Sequence, residues 1–158
     1  MTTARGPESR VKDLVVRDVV SVRPDDPLNE AVTLMFENRI SAVPVVDTRG
    51  RCRGILSTTD LIGLLGKLSE SPVEPDEMNR FAAEIADANQ RSARLEQRKV
   101  EEVMTRDVIT VGLEDTVLAA AREMLRNRVH RLIVVDQHQR VIGILSTMDL
   151  LEAFSAGC

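Results

Sequence analysis

Two short stretches of this chain place a hydroxyl and a carboxylate three residues apart: Ser57 with Asp60, and Ser146 with Asp149. A carboxylate has two acceptor oxygens, so a single Asp can take both protons of a vicinal diol such as a sugar. Each pair also stands just ahead of an apolar run. A helix starting there would offer unpaired backbone N–H groups and a field that favours phosphate. The same S-x-x-D spacing is a capping box, in which the Ser holds one backbone N–H and the Asp reaches back to another. Spacing leaves both roles open, and one carboxylate cannot fully serve both. His130-Arg131 is the other chemical feature. The guanidinium fork suits phosphate oxygens, and the imidazole can add a donor. Its bland alternative is a solvated turn between a helix and a strand.

Catalytic chemistry is hard to build from the rest. The chain has two histidines, no Cys/His cluster at metal-ligand spacing and no glycine-rich phosphate loop, so neither an enzyme nor a metal site is expected. Gly54 and Gly143 are single glycines in expected strands. Cys52 reads as a small buried hydrophobe within a strand, and Cys158 is the last residue. His138 falls in an expected hairpin turn. Arg17 and Arg106, each beside an Asp, read as surface ion pairs, and Met35 and Met124 as core.

Composition narrows the partners. The formal charge is 21 − 25 = −4, and the aromatics are three Phe with no Trp or Tyr. A nucleic acid would find neither a basic footprint nor rings on which to stack. No run is long enough to span a bilayer, and the polar stretch 1–10 has no apolar core of the kind a secretory leader needs. The expectation is a cytoplasmic protein with a flexible stretch at 1–10 and a core of Val, Ile, Leu, Met and Ala.

The elements that must position these residues come from a duplication. Shifted by 89 positions, Val11–Ile62 aligns with Val100–Leu151 without a gap, with 21 identities in 52 positions. Val45-Val46-Asp47 meets Val134-Val135-Asp136, and Gly54-Ile55-Leu56-Ser57-Thr58 recurs as Gly143-Ile144-Leu145-Ser146-Thr147. His130 and Arg131 replace Ser41 and Ala42, so duplication does not explain them.

Each copy reads β-α-β-β-α. The expected first strands are Val19–Val22 and Val108–Val111. Asp26 is the expected N-cap of the next helix, with Pro27 at its first position. Leu28, Ala31, Val32, Met35 and Phe36 share one helical face, as do Val117, Ala120, Ala121, Met124 and Leu125. Strands Val43–Val46 and Cys52–Leu56 form a hairpin, and a helix runs from Ser57 or Thr58 to about Gly66. In the second copy the strands are Leu132–Val135 and Val141–Leu145, with a helix to about Phe154. The expected organisation is repeat one at 11–66, repeat two at 100–155, and a loop with a connecting helix at 67–99. In that helix Met78, Phe81, Ile85, Ala88 and Leu95 make a thin apolar stripe. A single copy has little interior to bury, so the two are expected to pack face to face about a pseudo-twofold axis.

These residues resemble tandem cystathionine-β-synthase (CBS) domains paired as a Bateman module. The likeness lies in V-x-x-V-M-T-R-D-V-I-T-V at Val100–Val111, L-I-V-V-D at Leu132–Asp136 and G-I-L-S-T-x-D at Gly143–Asp149. Copy one has V-P-V-V-D and G-I-L-S-T-T-D in the same order, with Val15-Val16 in place of Met104-Thr105. The resemblance implies an α/β (α+β) fold and a regulatory role in sensing energy state through AMP, ADP or ATP. It implies that Ser57, Asp60, Ser146 and Asp149 contact the ribose. V-H-R-L-I-V-V-D is similar to the gamma subunits of AMP-activated protein kinases, which implies phosphate contact by His130 and Arg131. Val22, Val43, Val111 and Leu132 would flank the adenine, as would Val20 and Ile109, although core packing explains them equally well. The resemblance further implies a homodimer acting on a separate effector protein. S-adenosylmethionine binding and a ligand-free scaffold are the alternatives.

Overall fold

The computed structural model describes residues 8–15, 19–68 and 98–155. The expected connecting helix, with Met78, Phe81, Ile85, Ala88 and Leu95, lies outside the described residues, as does Cys158. The described residues divide into two compact units. One lies within Met1–Val19, Arg49–Cys52 and Asp107–Cys158, the other within Val20–Thr48 and Arg53–Arg106.

The first repeat supplies α1 (Leu28–Glu37), β1 (Ala42–Val46), β2 (Cys52–Ser57) and α2 (Thr58–Leu68). Leu28, Ala31, Val32 and Met35 of α1 are buried, as the helical spacing predicts, against Val43, Val45, Leu56 and Leu61. Phe36 departs from that expectation at 46% exposed. The cap is also displaced by one residue. Pro27 is the N-cap, in an extended conformation and without a side-chain cap bond. Asp26 Oδ2 instead accepts the N–H of Arg23 at 2.9 Å, closing the turn ahead of the helix.

The second repeat supplies β3 (Thr110–Gly112), α3 (Val117–Asn127), β4 (Arg131–Val135), β5 (Val141–Ser146) and α4 (Thr147–Ser155). The sheet order is β3-β4-β5; β3 runs parallel to β4, with Val111 opposite Val134, and β5 antiparallel to it. Here the helix is capped by a side chain, Thr116 Oγ1 accepting from Ala119 N at 3.1 Å. Val117, Ala120 and Met124 are buried in the core, whereas Leu125, expected on the same face, is 79% exposed.

The expected strand Val19–Val22 is reduced to one parallel bridge between Val22 and Val45. A proline explains the loss. In the second repeat Ile133 N donates to Ile109 O at 3.1 Å, adding a rung to the parallel pair. The equivalent of Ile133 is Pro44, which has no N–H to donate. Two bonds survive beside it, from Val22 N to Pro44 O at 3.0 Å and from Val46 N to Val22 O at 2.8 Å. In the second repeat the strand is Thr110–Gly112 rather than Val108–Val111.

Each unit is completed by the opening segment of the other repeat. Fully buried Val11 packs with Val111, Val117 and Leu132, its N–H bonding Asp115 O at 2.8 Å. Fully buried Val100 likewise packs with Val22, Leu28 and Val43, its N–H bonding Asp26 O at 3.0 Å. Residues 9–15 and 98–105 are therefore exchanged between the repeats, and each repeat carries the plug for the other's core.

Candidate functional site

Ser57 ends β2 and Asp60 lies in the first turn of α2. Asp60 Oδ2 accepts from Ser57 N at 2.8 Å and from Ser57 Oγ at 3.0 Å, and Asp60 N donates to Ser57 Oγ at 3.3 Å. This is a complete capping box. The other oxygen is engaged as well, Oδ1 accepting from Thr105 Oγ1 at 2.8 Å. Thr105 arrives with the exchanged segment. Its N–H and C=O each bond Ile55 at 2.9 Å. Gly54 permits this approach, since a Cβ there would lie 2.6 Å from Thr105 O.

Ser146 and Asp149 reproduce the box at the start of α4. Asp149 Oδ2 accepts from Ser146 N at 2.7 Å and from Ser146 Oγ at 3.0 Å, while Asp149 N donates to Ser146 Oγ at 3.3 Å. The repeats differ at the remaining oxygen. Among the described residues no donor bonds Asp149 Oδ1. The repeat-equivalent of Thr105 is Val16, which has no hydroxyl.

The exposed His130 precedes β4, and half-buried Arg131 is its first residue. His130 O accepts the N–H of Thr147, the first residue of α4, at 3.0 Å. Arg131 pairs with Ser146 across β4 and β5. One unit thus gathers His130, Arg131, Ser146 and Asp149 around the start of a single helix. Ser57 and Asp60 belong to the other unit.

The four apolar candidates are core residues. Val22 and Val43 sit in one cluster and Val111 and Leu132 in the other, with Val43 and Leu132 fully buried. A side chain without exposed surface offers no area to an incoming ring, so Val43 and Leu132 act through packing. Cys52 is half-buried rather than buried. Sequence reasoning missed Thr105 as a partner of Asp60. Its signal was the replacement of Val15-Val16 by Met104-Thr105, visible in the repeat alignment.

A concavity of about 560 Å³ lies between the turns that follow β3 and β4, with Glu114, Asp115 and Asp136 on its wall. The Asp136 carboxyl is held below the usual carboxylate range, first by the backbone N–H of Arg140 and then by that of His138 and the nearby charge of Arg140. An acidic wall of this kind does not suit a phosphate. Among the described residues no group of three or more His, Cys, Asp or Glu side chains could hold a metal ion, and no helix is long and apolar enough to cross a membrane.

Comparison with known proteins shows the family. The CBS domain family matches residues 11–67 and 100–156. Over 151 residues the chain is 32% identical to the uncharacterized protein MJ1426 of Methanocaldococcus jannaschii, covering 90% of this chain and 89% of that one. Other curated relatives are much longer: the chain spans only 23% of the inosine-5'-monophosphate dehydrogenase of the same organism, at 29% identity over 90% of itself. Among solved structures it is similar to the CBS domain pair of protein MJ0100 in complex with 5'-methylthioadenosine and S-adenosyl-L-methionine. There the TM-score is 0.73 at 23% identity, over 96% of this chain and 100% of that one. It is also similar to CBSX2 in complex with AMP, with a TM-score of 0.68 at 23% identity over 91% and 94%. With both repeats matched, the chain belongs to the CBS domain family as a tandem pair.

Proposed function

We propose that this CBS pair is a regulatory module that binds an adenine nucleotide (AMP, ADP or ATP) and controls a separate protein without catalysing a reaction. The observation that carries this is the inequality of the two capping boxes. Among the described residues no donor takes Asp149 Oδ1 while its box is intact, so Asp149 can cap α4 and still accept from a ribose diol. His130 and Arg131, tied to the same helix start through Thr147 and Ser146, supply donors for the phosphate. Relatives of the same fold support the ligand class, one in complex with AMP and one with two adenosine-containing sulfur compounds. A phosphate-bearing ligand suits Arg131 better than S-adenosylmethionine, whose sulfonium is cationic. A cytoplasmic setting fits a sensor of nucleotides.

Titration calorimetry with AMP, ADP, ATP and S-adenosylmethionine tests the proposal. Heat is expected with at least one of the three nucleotides, and it should be lost in Asp149→Ala and weakened about tenfold or more in His130→Ala, since charge-assisted bonds contribute about 1.5–3 kcal/mol. Absence of heat with every adenosine compound would overturn the proposal in favour of a ligand-free scaffold.

A further inference from the structure

The two hairpin turns carry basic residues at repeat-equivalent positions: Arg49 and Arg51 in the first, His138 and Arg140 in the second. Arg49–Cys52 belongs to the same compact unit as the second repeat. There the turns are joined by main-chain bonds, Cys52 N donating to Gln139 O at 3.3 Å and Val141 N to Gly50 O at 2.9 Å. Arg51 and Arg140 face each other in an antiparallel bridge. Gly50, at φ 79°, has the aliphatic stem of Arg140 over it, 3.7 Å from where a Cβ would stand. Arg49, Arg51, His138 and Arg140 together line one open cavity of about 520 Å³, basic throughout among the described residues of its wall.

This arrangement differs from a scatter of exposed arginines. Like charges repel, and free turns would relax by moving apart. Here the backbones are fixed to each other. Asp136 holds Arg140 from the inner side, Oδ2 accepting from Nε at 3.2 Å while Oδ1 takes the N–H of His138 at 2.8 Å and of Arg140 at 3.0 Å. That contact uses the inner nitrogen. Among the described residues nothing bonds Nη1 or Nη2 of Arg140. A guanidinium braced in this way loses little further freedom when its outer edge meets an oxyanion.

We infer that this cavity binds a small, multiply charged oxyanion of the pyrophosphate or triphosphate class, at a place separate from the diol site around Asp149. Guanidinium forks match phosphoryl oxygens two at a time, and directly opposed antiparallel residues are about 5 Å apart at Cα. A chain of two or three phosphoryl groups can therefore reach both turns at once. The oxyanion can be free or the phosphate tail of a nucleotide. The inference does not need the adenosine proposal.

The test is calorimetry of the whole chain with sodium pyrophosphate, sodium triphosphate, ATP and adenosine. The proteins compared are the wild type, Arg49→Gln/Arg140→Gln and Asp149→Ala. Pyrophosphate or triphosphate should bind the wild type and Asp149→Ala alike, with affinity at least tenfold weaker in the double variant and falling with added salt. Adenosine binding should be the same in the wild type and the double variant. If the double variant does not fold, Arg49→Gln alone leaves the Asp136–Arg140 pair in place and should weaken binding in the same direction. No binding by the wild type, equal affinity in the arginine variants, or loss in Asp149→Ala would each overturn the inference. Pyrophosphate binding without adenosine binding would leave this site standing and remove the nucleotide proposal. ATP binding lost in the double variant while pyrophosphate binding is lost with it would identify the nucleotide tail as one source of the oxyanion.

Discussion

The S-x-x-D motif occurs twice, and among the described residues the two copies differ in the hydroxyl that Thr105 brings to Asp60. In copy one both oxygens of Asp60 are occupied, Oδ2 by Ser57 and Oδ1 by Thr105. In copy two the segment that matches Thr105 carries Val16, and Asp149 Oδ1 remains an open acceptor among the described residues. Thr105→Val should remove one hydrogen bond and lower stability by about 1 kcal/mol, read as a lower urea midpoint. Adenosine-compound affinity at Asp149 should be unchanged by that variant. Asp60→Ala should behave in the same way, with a larger loss of stability because the capping box goes as well. If calorimetry showed Asp60→Ala and Asp149→Ala to be equally damaging to binding, the two copies would be functionally equal and the distinction drawn from Thr105 would fail.

At the scale of elements, the exchanged openings decide how each core closes. The segment 98–105 brings Val100 and Met104 into the first-repeat core and lies against β2 at Gly54. Gly54→Ala would place a Cβ 2.6 Å from Thr105 O, which is backbone and cannot swing aside. Destabilisation of about 1–3 kcal/mol is expected, measured by chemical denaturation. Neutral behaviour would mean that the segment does not dock there. The spacing of Leu28, Ala31, Val32 and Met35 made α1 legible in the sequence, and the two β-rich runs of each repeat made the hairpins legible. The exchange was not legible, because the alignment of Val11 with Val100 says that the positions are equivalent without saying which core each one fills. The failed strand at Val19–Val22 was written in Pro44, a residue of the neighbouring strand, where a local pattern does not look for it. The site was half legible. The hydroxyl–carboxylate pairs were found by spacing, but whether each carboxylate has an oxygen to offer depends on Thr105, distant by 45 positions from Asp60.

At the scale of the whole molecule the net charge is −4, yet the surface is not uniformly polar. Leu125 is 79% exposed on α3, with Leu118 seven residues earlier on the same face. Met148 is 62% and Leu151 58% exposed on α4, three residues apart. Both helices belong to one unit. Lone exposed leucines need no explanation, but two exposed apolar pairs on two helices of one unit are what a contact surface would present. A second copy of the chain is the proposed occupant, because a homodimer buries the same apolar residues twice about its axis. Removing a buried Leu or Met side chain from such an interface costs about 1.5–3 kcal/mol, and a twofold axis counts each change twice. Leu125→Glu/Leu151→Glu should therefore weaken association by several orders of magnitude, converting a dimer in sedimentation equilibrium into a monomer. Both residues are exposed, so far-ultraviolet circular dichroism and the urea midpoint of the separated chain should stay close to their wild-type values. A wild-type chain that sediments as a monomer at tens of micromolar would sink the dimer, and the apolar faces of α3 and α4 would then belong to the regulated partner.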